Sequence, residues 1–337
     1  RERYSGYRIS RDELVARAEE LAPAASTFFI FLVVSTLIAT TGLLLDSSAT
    51  IIGAMVIAPL MGPAISASVG AVLANREMAS RGAVLQVTGL LAAILTAAIF
   101  GLLLKETVLL PPVDIRTIPQ VLERTSPNFL SLFLALGSGI AGAVSIIRGT
   151  GSALVGVAIA VALIPPAATA GLGMAWGHPG VVVTAGVLVL VNLLAINLSA
   201  LILLWIAGYR PEKGEHAEQA RRAVRARIAT IVLGLVFLSI VLGAVTAASF
   251  AVGTVETNAN NEIEAMFDDG QFGEMEVESV DVDYDIDDVL LGDPAEVDVV
   301  VAHGPNTRLP PDTAQRIDDR LTRSTGQDVV VDVAFVR

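Results

Sequence analysis

Long uncharged stretches of apolar residues recur along most of this chain, and short segments between them carry the charges. A helix needs about 20 apolar residues to cross a hydrocarbon core about 30 Å thick. Stretches near or above that length cover residues 26–45, 47–74, 83–104, 128–147, 151–177, 179–208 and 228–255. The pattern predicts an all-α polytopic membrane bundle of about seven transmembrane helices.

The two ends of the chain follow other patterns. Residues 8–22 combine charges with one apolar helical face, and Ser10 followed by Glu13 has the spacing of a capping box. We expect an amphipathic helix that lies along the membrane or packs on the bundle. Near the other end, valines alternating with acids predict strands, and a segment opened by two prolines predicts a helix. The strands are at 274–284, 296–302 and 328–336, and the helix is at 310–323.

Charge supports the membrane assignment and orients it. Only 17% of the residues are charged, against about 25% in soluble domains. The net charge of −12 hides a split, because residues from Gly253 onward include 21 acids and 5 bases, whereas the rest includes 13 acids and 17 bases. Most of the earlier bases lie before the first stretch and after the second, fourth and sixth. The positive-inside rule then predicts a multi-pass protein of the cell membrane with a cytoplasmic N-terminus.

These patterns divide the chain into six segments. They are a cytoplasmic amphipathic N-terminal helix (1–25), a first transmembrane repeat (26–127), a second transmembrane repeat (128–208), a basic cytoplasmic loop (209–227), a seventh transmembrane helix (228–255) and a small acidic extracytoplasmic α+β domain (256–337).

The two transmembrane repeats are indicated by matching residues 103 positions apart. Gly53 corresponds to Gly156, Leu60 to Leu163 and Pro63 to Pro166. The charge pattern makes the second and fifth stretches run in opposite directions, so the halves form a 3+3 inverted repeat with one additional helix. Chance similarity between small apolar segments is the alternative. Inverted repeats are typical of transporters.

Prolines interrupt both matched stretches near their middles. Pro59 and Pro63 lie in the second stretch, and Pro165 and Pro166 lie in the fifth. Proline removes a helical N–H donor and clashes with the preceding turn. We therefore predict two proline-broken helices whose freed backbone groups bind a substrate or ion. The alternative is a kink in which Ser, Thr or water satisfies the freed carbonyls.

Three blocks of this sequence resemble a known family. They cover residues 42–73, 137–175 and 192–211, in the order in which the family has them. The sequence resembles the uncharacterised hydrophobic domain family, domain of unknown function 389, over roughly residues 14–251. Its 20 arginines and 2 lysines look like the haloarchaeal branch. The resemblance implies an architecture and no established activity.

The chemistry of the predicted spans is restricted to neutral groups. Cysteine is absent and only three histidines occur in the chain, and no ionisable residue lies between the ends of any span. This composition argues against proton relays and intramembrane hydrolases. We expect no enzyme, no catalytic residue, no cofactor and no metal site. We also expect no nucleic-acid partner.

Neutral polar side chains near the prolines are the candidates for a binding site. An amide buried in lipid must find hydrogen-bond partners, so each should face protein or water; the further polar residues Ser68 and Gln86 come under the same rule. The alternative role is hydrogen bonding between helices. The predicted substrate site comprises Pro59, Pro63, Ser66, Pro165, Pro166, Thr169, Asn192 and Asn197.

A weaker anion site is predicted at the N-terminus of the fifth stretch. Helix N-termini attract anions, and Arg148, Thr150 and Ser152 lie at this one. Ordinary N-capping is the alternative.

Two functions remain open from the sequence. The first is a transporter or channel for a small solute or ion, with its site at the paired broken helices. The alternative is a non-transporting oligomeric membrane scaffold or sensor that uses its soluble domains. Membrane lipids are expected partners in both cases, and glycine-rich helix faces favour a homo-oligomer.

Overall fold

The computed structural model describes residues 9–21, 25–107, 113–125, 129–149, 152–211, 217–268, 275–284, 294–303, 313–326 and 328–336. The chain divides into two compact units, Arg1–Leu242 and Gly243–Arg337. The helices are α1 (Arg11–Glu20), α2 (Ala25–Leu44), α3 (Ser48–Ile57), α4 (Met61–Leu73), α5 (Arg76–Glu106), α6 (Pro119–Thr125), α7 (Phe129–Arg148), α8 (Ser152–Trp176), α9 (Pro179–Ile206), α10 (Ala217–Asp268) and α11 (Thr313–Thr325). The strands are β1 (Met275–Asp283), β2 (Ala295–His303) and β3 (Val329–Val336).

Apolar helices long enough to cross a membrane make up most of the first unit. Within the described residues they are α2, α5, α7, α8 and α9, and the bent pair α3–α4 is a sixth candidate. The prediction of an all-α membrane bundle is confirmed. The predicted seventh span, 228–255, falls in α10, where the side chains of most residues between 238 and 252 lie outside the described part, and it stays a prediction.

The first predicted helix break is confirmed. Pro59 lies in the gap between α3 and α4, whose axes differ by 53°. A proline disfavours the helical conformation of the residue before it, and Ala58 has an extended ψ of 124°. The last carbonyls of a helix lack helical donors. Here the Ser35 hydroxyl of α2 donates to the Ala54 carbonyl at 2.7 Å, which ties α2 to the last turn of α3.

The second predicted break is wrong. Helix α8 continues through Pro165 and Pro166 without interruption. Pro166 has no N–H for the carbonyl of Ala162, but the side-chain amide of Asn192 on α9 donates to that carbonyl at 2.8 Å. A neighbouring helix therefore replaces the missing donor, and only one of the two proline pairs breaks a helix.

Close approach of small residues packs the centre of the bundle. Helix α5 contacts α2, α4 and α8, and α9 contacts α4, α7 and α8. A Cβ on Gly82 of α5 would lie 2.5 Å from the backbone nitrogen of Ala67 on α4, and one on Gly171 of α8 would lie 2.4 Å from the carbonyl oxygen of Ile94 on α5. These helices therefore meet backbone to backbone.

The amphipathic helix α1 packs on one end of the bundle. The Ser10 hydroxyl accepts from the Glu13 N–H at 3.1 Å, which confirms the predicted N-cap. Leu14 and Ala18 are fully buried. The Ser66 hydroxyl of α4 donates to the Ala18 carbonyl at 2.8 Å. Of the two positions left open by the sequence, α1 takes the one against the bundle.

The second unit contains a three-stranded sheet in the order β1-β2-β3. Strands β1 and β2 are antiparallel, whereas β2 and β3 are parallel and are connected through α11. Alternate residues Val297, Val299 and Val301 of β2 are fully buried against Ile317 and Leu321 of α11 in its core. The predicted strands and helix are confirmed to within a few residues.

Candidate binding site

Neither of the two cavities described by the structure contains all of the predicted site residues. Pro59 lies in the break after α3, and Pro63 and Ser66 line a small cavity at the start of α4. Asn197 lines a second, larger cavity. The other four are buried in α8 and α9, and they are Pro165, Pro166, Thr169 and Asn192. The two described cavities therefore contain three of the eight predicted residues, and the site as a whole stays a prediction.

The larger cavity, named here the α5 cavity, has a volume of about 720 Å³. Small-molecule sites in proteins typically occupy about 300–1,000 Å³. Helices α4, α5 and α9 and the first part of α10 form its walls. Its lining residues are Ala67, Ser68, Ala71, Arg76, Ala79, Ser80, Ala83, Gln86, Val87, Leu193, Leu194, Asn197, Leu201, Arg227 and Ile231.

The cavity extends along α5 from the end of the bundle toward its middle. Helix α5 begins at Arg76, where the Asn75 side chain accepts from the Met78 N–H at 3.1 Å. Gln86 lies ten residues later, about 15 Å along the axis at a rise of about 1.5 Å per residue. The uncharged stretch of this helix begins at residue 83, so Gln86 lies three residues inside it. Asn197 is nine residues before the end of α9 at Ile206, so both amides lie at a similar depth.

A chain of hydrogen bonds joins three helices at that depth. The Ser68 hydroxyl of α4 donates to Oδ1 of Asn197 at 3.4 Å. Nδ2 of Asn197 donates to Oε1 of Gln86 at 3.2 Å and to the Leu193 carbonyl at 2.8 Å. We call these three side chains the Ser68–Asn197–Gln86 chain. It fixes the orientation of the Gln86 amide, because the amide oxygen is already engaged.

The amide nitrogen of Gln86 is left without a partner. The side chain is 3% exposed, and its Nε2 donates to no atom of the described residues. A buried donor without an acceptor costs about 1–3 kcal/mol. Gln86 lines the cavity although its Nε2 is itself buried, so an acceptor in the cavity recovers that cost once the side chain turns toward it.

The charges on the cavity wall are all positive. Arg76 and Arg227 are the ionisable residues in its lining. Within the described ranges neither arginine forms an ion pair with a carboxylate. The remaining wall is mostly alanine and leucine, so the cavity combines an apolar body with guanidinium groups and a row of neutral polar groups.

The smaller cavity differs in charge and occupies about 350 Å³. Glu19, Glu77 and Arg81 line it, together with Pro63 and Ser66. The Ser66 hydroxyl is engaged with α1, as described above. The contact between Gly82 and Ala67 lies between the two cavities, since Gly82 lines the smaller one and Ala67 lines the α5 cavity.

Some polar groups of the buried candidates in α8 and α9 form hydrogen bonds within the bundle, and others have no described partner. Asn192 supports the double proline through its nitrogen, while its Oδ1 and the Thr169 hydroxyl are buried without a described partner. The predicted anion site is largely outside the described residues, which include neither Thr150 nor the side chain of Ser152; Arg148 is exposed at the end of α7. Within the described ranges, His, Asp and Glu side chains form no metal-binding cluster.

The sequence pattern identifies some residues of this cavity but does not show that they share one cavity. Asn197 is a predicted site residue, and Ser68 and Gln86 are polar groups that need partners in an apolar stretch. In the sequence, Arg76 and Arg227 indicate only which ends of the helices face the cytoplasm. One feature of the sequence indicates that Gln86 and Asn197 could meet: they lie at similar depths in two helices that are predicted to run in opposite directions.

Comparison with known proteins identifies the region that holds these residues. Residues 55–198 match the family described as Domain of unknown function (DUF389), and this range includes the whole Ser68–Asn197–Gln86 chain. The chain is also 34% identical over 215 residues to Uncharacterized protein MJ0678 of Methanocaldococcus jannaschii. That alignment covers 64% of this chain and 65% of the relative, just under two thirds of its length. No solved structure matches. The haloarchaeal branch stays a prediction, whereas the resemblance to the DUF389 family is confirmed over residues 55–198 of this chain.

Proposed function

We propose that this chain transports a small solute or ion across the membrane, with the α5 cavity as its binding site. The observation that carries the proposal is the Gln86 amide, which is buried on the wall of a ligand-sized cavity and has an unused donor. In lipid, an unsatisfied polar group costs several kcal/mol. A transported solute or its hydrating water supplies the missing acceptor.

Recognition at this site uses hydrogen bonds and fixed charge. The ionisable residues in the lining of the α5 cavity are Arg76 and Arg227, and the lining includes no carboxylate. Transport by this route therefore does not need a protonating carboxylate. The proposed site is centred on Asn197, Gln86 and Ser68, and it takes the place of a site at two broken helices.

The proposed architecture is a 3+3 inverted repeat with one additional span. Helices α2, α3 and α5 begin at Ala25, Ser48 and Arg76, and α7, α8 and α9 begin 103 or 104 residues later. A serine in each first helix also bonds to the second: Ser35 to Ala54, and Ser138 to the Ala158 carbonyl at 2.9 Å. These correspondences support the repeat, with the broken helix in the first half only.

The proposed orientation places α1 and the arginine-lined end of the α5 cavity in the cytoplasm. The positive-inside rule supports it, since Arg76, Arg81, Arg210 and Arg227 lie in segments assigned to that side. The acidic domain at 256–337 is then extracytoplasmic.

Solute flux in proteoliposomes tests the proposed function. The purified full chain is reconstituted, and uptake of radiolabelled chloride, sulfate, phosphate, rubidium and glycerol is compared with uptake by empty liposomes. For any solute transported, Gln86→Leu and Asn197→Ala should each lower the initial rate about tenfold, which corresponds to about 1.4 kcal/mol. Thr88→Val is the matched control, because Thr88 is exposed on the same helix and bonds only within α5.

Two results would contradict this proposal. One is the absence of flux of all five solutes above the empty-liposome rate with correctly folded protein. The other is flux that Gln86→Leu and Asn197→Ala leave unchanged. The former favours the second candidate, a membrane scaffold or sensor, which is supported by the separate core of the second unit. Homo-oligomerisation through exposed apolar faces is compatible with either function.

A further inference from the structure

We propose that the α5 cavity selects anions: its ligand is a phosphate- or sulfate-type group that Arg76 and Arg227 attract at one end of the cavity and that the amide donor of Gln86 meets about 15 Å further along α5. The inference that anions are transported rests on the proposed function, whereas the inference that the cavity binds anions does not. It names the charge of the ligand, which the hydrophobic pattern of the chain does not determine.

The two guanidinium groups provide the first argument. Arg76 and Arg227 line the same cavity from α5 and α10, and the described part of the chain pairs neither with a carboxylate. Like charges on one wall repel each other and attract a counterion. Arginine presents several N–H donors in a planar fork that matches the geometry of phosphate and sulfate.

The Gln86 amide provides the second, independent argument. The positive-inside rule accounts for arginines at this end of a membrane protein, but it does not account for a donor inside the uncharged stretch that is 3% exposed and has no described partner. The oxygen of that amide accepts from Asn197, so the group can only donate to a ligand. An anion that moves from the arginines toward Gln86 needs a hydrogen-bond donor there, and this amide provides one.

The difference between the two cavities provides the third argument. The smaller cavity, beside α1, has two carboxylates, Glu19 and Glu77, and one guanidinium, Arg81, so its wall is negative on balance. The lining of the α5 cavity includes no Asp or Glu. A cation in the α5 cavity would meet two positive charges without a compensating carboxylate, whereas an anion meets attraction at the mouth and a hydrogen-bond donor at depth.

Two sources supply this anion chemistry. One is a free anion such as sulfate or phosphate, and the other is the headgroup of an anionic lipid whose acyl chains lie on the apolar wall of Leu193, Leu194 and Leu201. The shared feature is an oxyanion within reach of the arginines.

Binding is measured on the full chain in detergent by titrating sodium sulfate and sodium phosphate at constant ionic strength and following thermal stability. Arg76→Gln, Arg227→Gln and Gln86→Leu are each expected to raise the apparent Kd about tenfold, or about 1.4 kcal/mol. Arg225→Gln is the matched control, because it removes the same charge from an exposed position on the same helix outside the cavity lining. Its Kd should remain at the wild-type value.

A liposome arm separates the inference from the proposed function. Sulfate binding that depends on the two arginines, without flux, supports the anion site and overturns transport. Flux of rubidium or glycerol that depends on Gln86 but not on the arginines, without sulfate binding, supports transport and overturns the anion site. Equal loss of binding in Arg76→Gln and Arg225→Gln also overturns it. Vesicles of phosphatidylcholine with and without phosphatidylglycerol identify the source, because competition by phosphatidylglycerol that both arginine variants abolish assigns the site to a lipid headgroup.

Discussion

Replacing Asn192 by leucine is expected to lower the free energy of unfolding by about 2 kcal/mol, because the carbonyl of Ala162 then loses its donor in a buried apolar setting. Pro166 has no N–H to offer in its place, and the Asn192 amide supplies the bond at 2.8 Å. Leucine has a similar size, so packing around α9 changes little. Reversible unfolding in mixed detergent micelles measures the effect.

A double-mutant cycle isolates this interaction. In the Pro166→Ala background the new backbone N–H can donate to Ala162 within α8, so Asn192→Leu should cost less than about half of its cost in the wild type. The coupling energy is the predicted quantity. Equal destabilisation by Asn192→Leu in both backgrounds would show that Asn192 does not act through the proline gap.

Replacing Gly82 by alanine is expected to destabilise the bundle by about 3 kcal/mol, at the upper end of typical overpacking costs. The added Cβ would lie 2.5 Å from the nitrogen of Ala67 and 2.8 Å from the carbonyl oxygen of Pro63. Both atoms belong to backbone, which cannot move aside as a flexible side chain does. Helices α4 and α5 would have to separate, and the wall between the two cavities would shift with them.

Gly137→Ala is the matched control for this substitution. Gly137 lies in the middle of α7, and a Cβ there meets no atom within 4 Å. Alanine is a better helix former than glycine by up to about 1 kcal/mol, so Gly137→Ala should leave stability unchanged or raise it. A similar small effect of both substitutions would contradict the close α4–α5 contact.

The break at Pro59 and the continuity at Pro166 show what local sequence can predict. Both proline pairs remove helical donors and both lie in apolar stretches. Where the helix breaks, a serine from α2 binds a carbonyl of the last turn of α3; where it continues, an asparagine from α9 replaces the absent donor. The difference depends on partners 19 and 30 residues away, which proline spacing does not contain.

The sequence likewise predicts only part of the candidate site. Asn197 and Gln86 need hydrogen-bond partners because each is an amide in an apolar stretch, and the sequence alone shows this need. Their pairing joins residues 111 positions apart. The cavity beside them depends on how closely α4 approaches α5 through Gly82, and on where α10 places Arg227.

The sequence by itself determined the membrane bundle, the positions of most of its apolar helices, the N-cap of α1 and the strands and helix of the small α+β unit. Each of these follows from short-range regularities: the length of apolar runs, the period of the pattern and the spacing of caps. Only the tertiary structure decided that one proline pair keeps its helix intact and that Gln86, Asn197 and two arginines share a cavity. The physical reason is that a buried polar group takes whichever partner the packing brings near, and that partner comes from another helix.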